Sequence, residues 1–182
     1  MEERYVVFQG HRRVAAGSRL EAALAAQRLA GEAGVVIFGP RGGSTDFDLS
    51  GGPEALTARL APAGEAPRGR GRPKLGVVAR EVTLLPRHWD WLAGQPGGAS
   101  VALRKLVEAA RREQEGPDRV RAAREAAYRF ASAIGGDLPG FEEAMRSLFA
   151  GDAAGFEARI QDWPPDVADQ LRTYAAEAFP EA

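Results

Sequence analysis

The chain has 182 residues, an ordinary apolar fraction and a formal net charge of -1, so it can bury one core or two small ones. It has no cysteine, which excludes disulfides, thiolate zinc sites and thiol nucleophiles. The charge is uneven. Residues 65–116 hold ten basic and six acidic side chains, a net of +4, whereas 117–182 hold seven and twelve, a net of -5. A basic centre beside an acidic region suits an anion-binding element next to one that is not.

Tyr5 to Phe8 predicts a strand closed by a turn at Gly10, with His11 to Ala16 returning as its hairpin partner. Ser18 to Ala30 predicts a helix: Ser18 and Glu21 stand in capping-box spacing, and Leu20, Ala23 and Leu24 share a face. Val35 to Phe38 is a second apolar run, and Gly39 to Ser44 reads as a hairpin turn. Thr45 to Leu49 then alternates, with Phe47 and Leu49 opposite Asp46 and Asp48. Pro53 opens a short helix to Leu60. Residues 1–60 thus predict a small α+β domain of order ββαββα.

Residues 61–74 hold Pro62, Pro67 and Pro73 with Gly64, Gly69 and Gly71, and no apolar period survives there. This is a linker or an arm ordered on binding. Arg68-Gly-Arg-Gly-Arg-Pro-Lys74 resembles an AT-hook. In that reading Arg70 and Arg72 lie in a narrow A·T minor groove, Gly71 lets the backbone approach and Pro73 fixes its direction. Arg68 and Lys74 reach phosphates.

In residues 75–115, Arg80 to Leu85 is rich in β-branched and aliphatic side chains and stops at Pro86. Arg87 to Gln95 predicts a short helix, with Trp89 and Leu92 on its core face and Trp91 packed elsewhere. Pro96-Gly97-Gly98 is a turn. Ser100 can cap a second helix that places Ala102, Leu103, Leu106, Val107 and Ala110 opposite Arg104, Lys105, Glu108, Arg111 and Arg112. A lone strand cannot satisfy its own backbone groups, so it pairs either within the chain or with a second copy. The order resembles a ribbon-helix-helix unit, which implies a homodimer with an antiparallel ribbon in the DNA major groove. On that resemblance Arg80, Thr83 and Arg87 position the ribbon, and the helix start near Gly98 and Ser100 holds a phosphate. The exposed strand set is Glu81, Thr83 and Leu85 in one register, or Arg80, Val82 and Leu84 in the other.

Gly116-Pro117 predicts a boundary, and residues 116–182 predict a helical region. Its helices run from Asp118 to Ile134, Gly140 to Phe149, Asp152 to Trp163 and Pro165 to Phe179. Val120, Ala123, Ala127, Phe130 and Ile134 form an inward stripe on the first, and Phe141, Met145, Leu148 and Phe149 on the second. The acidic helices are a candidate surface for a protein partner.

The run from Gly71 to Leu92, the segment Gln95 to Val107, Phe8-x-Gly-His-Arg-Arg13, Asp46-Phe-Asp-Leu49, Phe156 and Trp163-Pro164 together resemble a bacterial family known as domain of unknown function 2239. That resemblance implies a shared fold and supplies no activity, ligand or catalytic residue. The combined reading is an α+β, cytosolic, homodimeric DNA-binding regulatory protein with no cofactor, no metal and no membrane segment. No catalytic constellation is visible: His11 and His88 share no metal spacing, and Asp46 with Asp48 gives too few oxygens for a hard cation. A protein-interaction or scaffolding module without nucleic-acid binding is the alternative.

Overall fold

Tyr5–Gln9 (β1) carries apolar side chains on both faces, and this determines where everything else packs. In a computed structural model describing residues 4–60 and 78–180, β1 is the middle strand of a three-stranded antiparallel sheet. Arg12–Gly17 (β2) pairs with one edge and Val35–Phe38 (β3) with the other. Gly10, at φ 55°, makes the hairpin turn. A bulge between Val7 and Phe8 shifts the β1–β2 register by one residue. Because side chains alternate, Val7 and Ile37 face one layer while Val6, Phe8 and Phe38 face the other.

The first layer is Arg19–Arg28 (α1). Ser18 and Glu21 close the capping box, and the Ser18 backbone and hydroxyl hold the Glu21 carboxyl below its usual pKa. The buried residues are Ala22, Ala23 and Ala26, so of the expected Leu20, Ala23 and Leu24 face only Ala23 is fully buried, and both leucines are half-buried. Pro53–Leu60 (α2) adds Leu56, which is fully buried.

The expected fourth strand is also corrected. After the 39–43 turn a single bridge joins Phe38 to Ser44, and Thr45 N–H donates to the Ile37 carbonyl at 2.8 Å. The chain then leaves the ladder. Phe47 and Leu49 still turn inward by alternation, since their burial against the α1 layer does not require a paired backbone. The order is therefore ββαβα.

The second layer is helical. Gly98–Ile134 (α4) is followed by Phe141–Ala150 (α5), Ala153–Ile160 (α6) and Pro165–Tyr174 (α7). Gly116-Pro117 does not break the helix, contrary to the expected helix start at Asp118. Proline removes one hydrogen bond, to the carbonyl of Glu113, at a site where Glu113 and Pro117 are both exposed and water can meet that carbonyl. The chain nonetheless divides into two compact units there: residues 4–60 with 117–180, and residues 78–116. No helix among the described residues is long and apolar enough to cross a membrane.

Phe130 of α4 is the hub of the first unit. Its ring centroid lies 4.8 Å from Phe38, 5.4 Å from Phe8 and 5.3 Å from Tyr174. The same cluster continues through Ala127, Leu148, Phe156, Ile160, Val167 and Leu171. Polar contacts fix the register of the two layers: Arg13 N–H donates to Asp166 Oδ2 at 2.9 Å, and the Tyr174 hydroxyl donates to the Gly39 carbonyl at 2.8 Å. Gly42, at φ 73°, lies so close to α4 that a Cβ there would sit 1.9 Å from the Ala126 carbonyl oxygen, so only glycine fits. Phe149 departs from the expected inward stripe. It is half-exposed and meets Tyr128 edge-on at 5.8 Å.

Phe130→Ala is expected to lower stability by about 3–5 kcal/mol in urea unfolding, because a buried aromatic leaves a cavity between two layers. Burial raises the Tyr174 phenol above the ordinary tyrosine pKa. Its contribution is therefore complete below about pH 10 and lost as pH rises beyond that. Tyr174→Phe should cost about 1 kcal/mol at neutral pH and lose less stability than the native chain above about pH 10, as read by unfolding across pH.

Candidate functional site

The described part of the second unit begins at Val78 with a segment that is not a strand. Residues 78–85 belong to no helix or ladder, and among the described residues no backbone hydrogen bond joins 78–84 to another part of the chain. The expected strand is thus unformed among the described residues, none of which supplies an edge to pair with it. Leu85, at φ -67° and ψ 149°, ends the segment as N-cap of Pro86–Ala93 (α3), whose first residue is proline.

Apolar side chains are concentrated here. Seven of the nine exposed large hydrophobics among the described residues lie between Val78 and Val107, which locates the chain's uncovered apolar surface. They include Val78 at 71 %, Trp91 at 54 % and Val107 at 54 % exposure, with Val82, Leu85, Trp89 and Leu106. Trp89 was expected in the core with Leu92; only Leu92 is buried, and Trp89 is 39 % exposed. On α4 the apolar half is sealed at Ala102, half-covered at Leu103 and open from Leu106 onward. An amphipathic pattern records which face avoids water, not whether this chain alone can cover it.

The residues expected to meet DNA fall into two sets. Arg68, Arg70, Gly71, Arg72, Pro73 and Lys74 lie outside the described residues. Arg80 and Thr83 are on the extended segment, Arg87 is the second residue of α3, and Ser100 is in the first turn of α4. All four are exposed. Arg80 and Arg87 have no ion-pair partner among the described residues, whereas Arg111 is held by Glu108 at 3.0 Å. Ser100 is not the cap: α4 begins two residues earlier, at Gly98, which has φ 74° and donates its N–H to the Gln95 carbonyl at 2.9 Å. Two glycines with positive φ, Gly97 and Gly98, turn the chain sharply enough to start the helix without a side-chain cap. Leu84 alone of 78–85 is half-buried, which favours the register with Glu81, Thr83 and Leu85 outward.

Other candidates are occupied by structural work. Asp48 accepts from Ser50 N–H at 3.0 Å and Ser50 Oγ at 2.6 Å and pairs with Arg59 at 3.0 Å. The Ser50 bonds, with the Arg59 charge, hold its carboxyl below the usual range. Asp46 does not join it in a cluster, and among the described residues no group of three or more His, Asp or Glu could hold a metal ion. His11 Nε2 meets the Ile134 carbonyl at 3.0 Å, tying the hairpin turn to the end of α4. His88 is on the exposed side of α3.

These features define an α+β protein with a filled sheet-and-helix core and a smaller unit whose apolar surface is open. The chain belongs to a family described as uncharacterized proteins conserved in bacteria, domain of unknown function 2239, whose profile matches residues 4–175. No curated protein and no solved structure matches the chain.

At concentrations low enough to keep chains apart, Leu92→Ala is expected to destabilise by about 2–5 kcal/mol and Leu106→Ala by less than about 0.5 kcal/mol. Chemical unfolding of the two variants checks this difference.

Proposed function

We propose that this chain is a DNA-binding regulatory protein that acts as a homodimer. Residues 80–85 of two copies pair as an antiparallel ribbon, and the open faces of α3 and α4 cover one another beneath it. The observation that carries this reading is the 78–84 segment, which has no backbone partner among the described residues, in the same unit as exposed Leu106 and Val107. An unpaired edge and an uncovered apolar face are each costly in water, and one two-fold partner satisfies both. Arg80, Thr83, Arg87 and Ser100 are exposed and available to DNA, and the Arg68–Lys74 arm supplies A·T minor-groove affinity through Arg70, Gly71, Arg72 and Pro73. The acidic helices of residues 117–182 are left for a protein partner.

A protein-interaction module without nucleic acid is the second reading. Exposed Glu81 and Leu85 favour it, because neither reads a base edge well and Glu81 opposes phosphate.

Fluorescence anisotropy with A·T-rich and G·C-rich duplexes separates the two. DNA binding through several phosphate contacts per dimer should weaken roughly 10³-fold or more between about 50 mM and about 200 mM salt. Arg80→Gln with Arg87→Gln should weaken binding to both duplexes, and Arg70→Gln with Arg72→Gln should erase the A·T preference. Absent binding, or affinity indifferent to salt, leaves the interaction module as the function.

A further inference from the structure

We propose that a cleft in the first unit binds a small organic anion: an apolar body bearing one carboxylate or phosphate head. This site is separate from the DNA reading and does not depend on it.

The cleft has a volume of about 440 Å³, within the range of small-molecule sites. Arg41 comes from the turn after β3, Arg119 and the alanines Ala123 and Ala126 from α4, and Tyr174 and Glu177 from the end of α7 and just beyond. Its shape follows from local sequence. Gly42 seats the turn directly on the Ala126 carbonyl, which brings Arg41 to the rim, while the alanines project too little to fill the space below.

The polar groups then divide by whether they are already engaged. The Tyr174 hydroxyl is committed to the Gly39 carbonyl, and the nearby Thr173 hydroxyl donates to the Asp169 carbonyl at 2.9 Å. Tyr174 therefore offers its ring as an apolar wall. Arg41, Arg119 and Glu177 stay uncommitted: none forms an ion pair among the described residues, although all three line one cleft. The next basic residue on α4, Arg121, is held by Asp118 at 2.9 Å, so pairing is available to this helix and Arg119 does not use it. Two guanidinium groups against one carboxylate leave a net +1 over an apolar floor, which selects a single negative head joined to an apolar body. Glu177 weighs against a second negative charge, which favours a carboxylate head over a largely dianionic phosphate head, and it can accept a hydrogen bond from a donor on the ligand.

Titration of the full chain with four probes tests this, followed by calorimetry and amide chemical shifts. Benzoate and phenyl phosphate are expected to bind, and their relative affinity distinguishes a carboxylate site from a phosphate site. Inorganic phosphate and benzyl alcohol, which each lack one half of the proposed ligand, are expected to bind at least about tenfold more weakly. Arg41→Gln and Arg119→Gln, both at exposed positions, should each weaken the better probe about tenfold or more while the melting temperature holds. Ala123→Leu should block binding by filling the floor. The proposal is overturned if neither aromatic anion binds at about 10 mM, if inorganic phosphate binds as well as phenyl phosphate, or if both arginine variants bind as the native chain does.

Discussion

The aromatic junction at Phe130 is the constraint on which the first unit depends. β1 is apolar on both faces, so α1 can cover only half of what it must bury. The other half, Val6 and Phe8 with Phe38 of β3, is covered by Phe130 and its neighbours on α4, far along the chain from all three. Each aromatic pair there adds about 0.5–1.5 kcal/mol beyond simple burial. The Arg13–Asp166, Tyr174–Gly39 and Gly42–Ala126 contacts lie around that junction and set its register. The N-terminal sheet and the C-terminal helices are therefore one folding unit, joined through contacts that are costly in loop entropy until the second half arrives.

The second unit contrasts with this. The first unit buries Phe8, Phe38, Phe130 and Phe156, whereas the second leaves Trp89, Trp91, residues 78–83 and the outer half of an amphipathic helix facing water. α4 belongs to both. From Pro117 onward it carries Ala127 and Phe130 into the core, and before Gly116 it displays Leu106 and Val107. One helix thus serves as an internal pillar at one end and an open surface at the other, with the proline at the change of role.

Much of this was legible in the sequence because it is local. The Ser18–Glu21 box, the Gly10 hairpin, the Pro53 and Pro165 helix starts and the Ala127–Phe130 stripe each follow from residues a few positions apart. What escaped depends on partners distant in sequence. Alternation at Thr45–Leu49 reported burial correctly but not pairing, since half-buried extended chain and strand share a period of two. Gly116-Pro117 looked like a stop because proline's penalty is local, while the packing that keeps α4 helical past it is not. Of the candidate site, the residue types were visible and their exposure was not: nothing in Trp89 or Leu106 says whether its cover comes from this chain. The cleft residues Arg41, Arg119 and Glu177 carried no signal at all, being drawn from three segments that only the fold assembles.

The central claim is that residues 80–85 are completed by the same residues of another copy. Isotope-filtered NOE spectroscopy on a mixture of labelled and unlabelled chains tests it most directly. An antiparallel ribbon predicts inter-chain contacts centred between Val82 and Leu84, with slowed amide exchange on both strands. Absence of such contacts, with the 80–85 amides exchanging freely at millimolar protein, would contradict it.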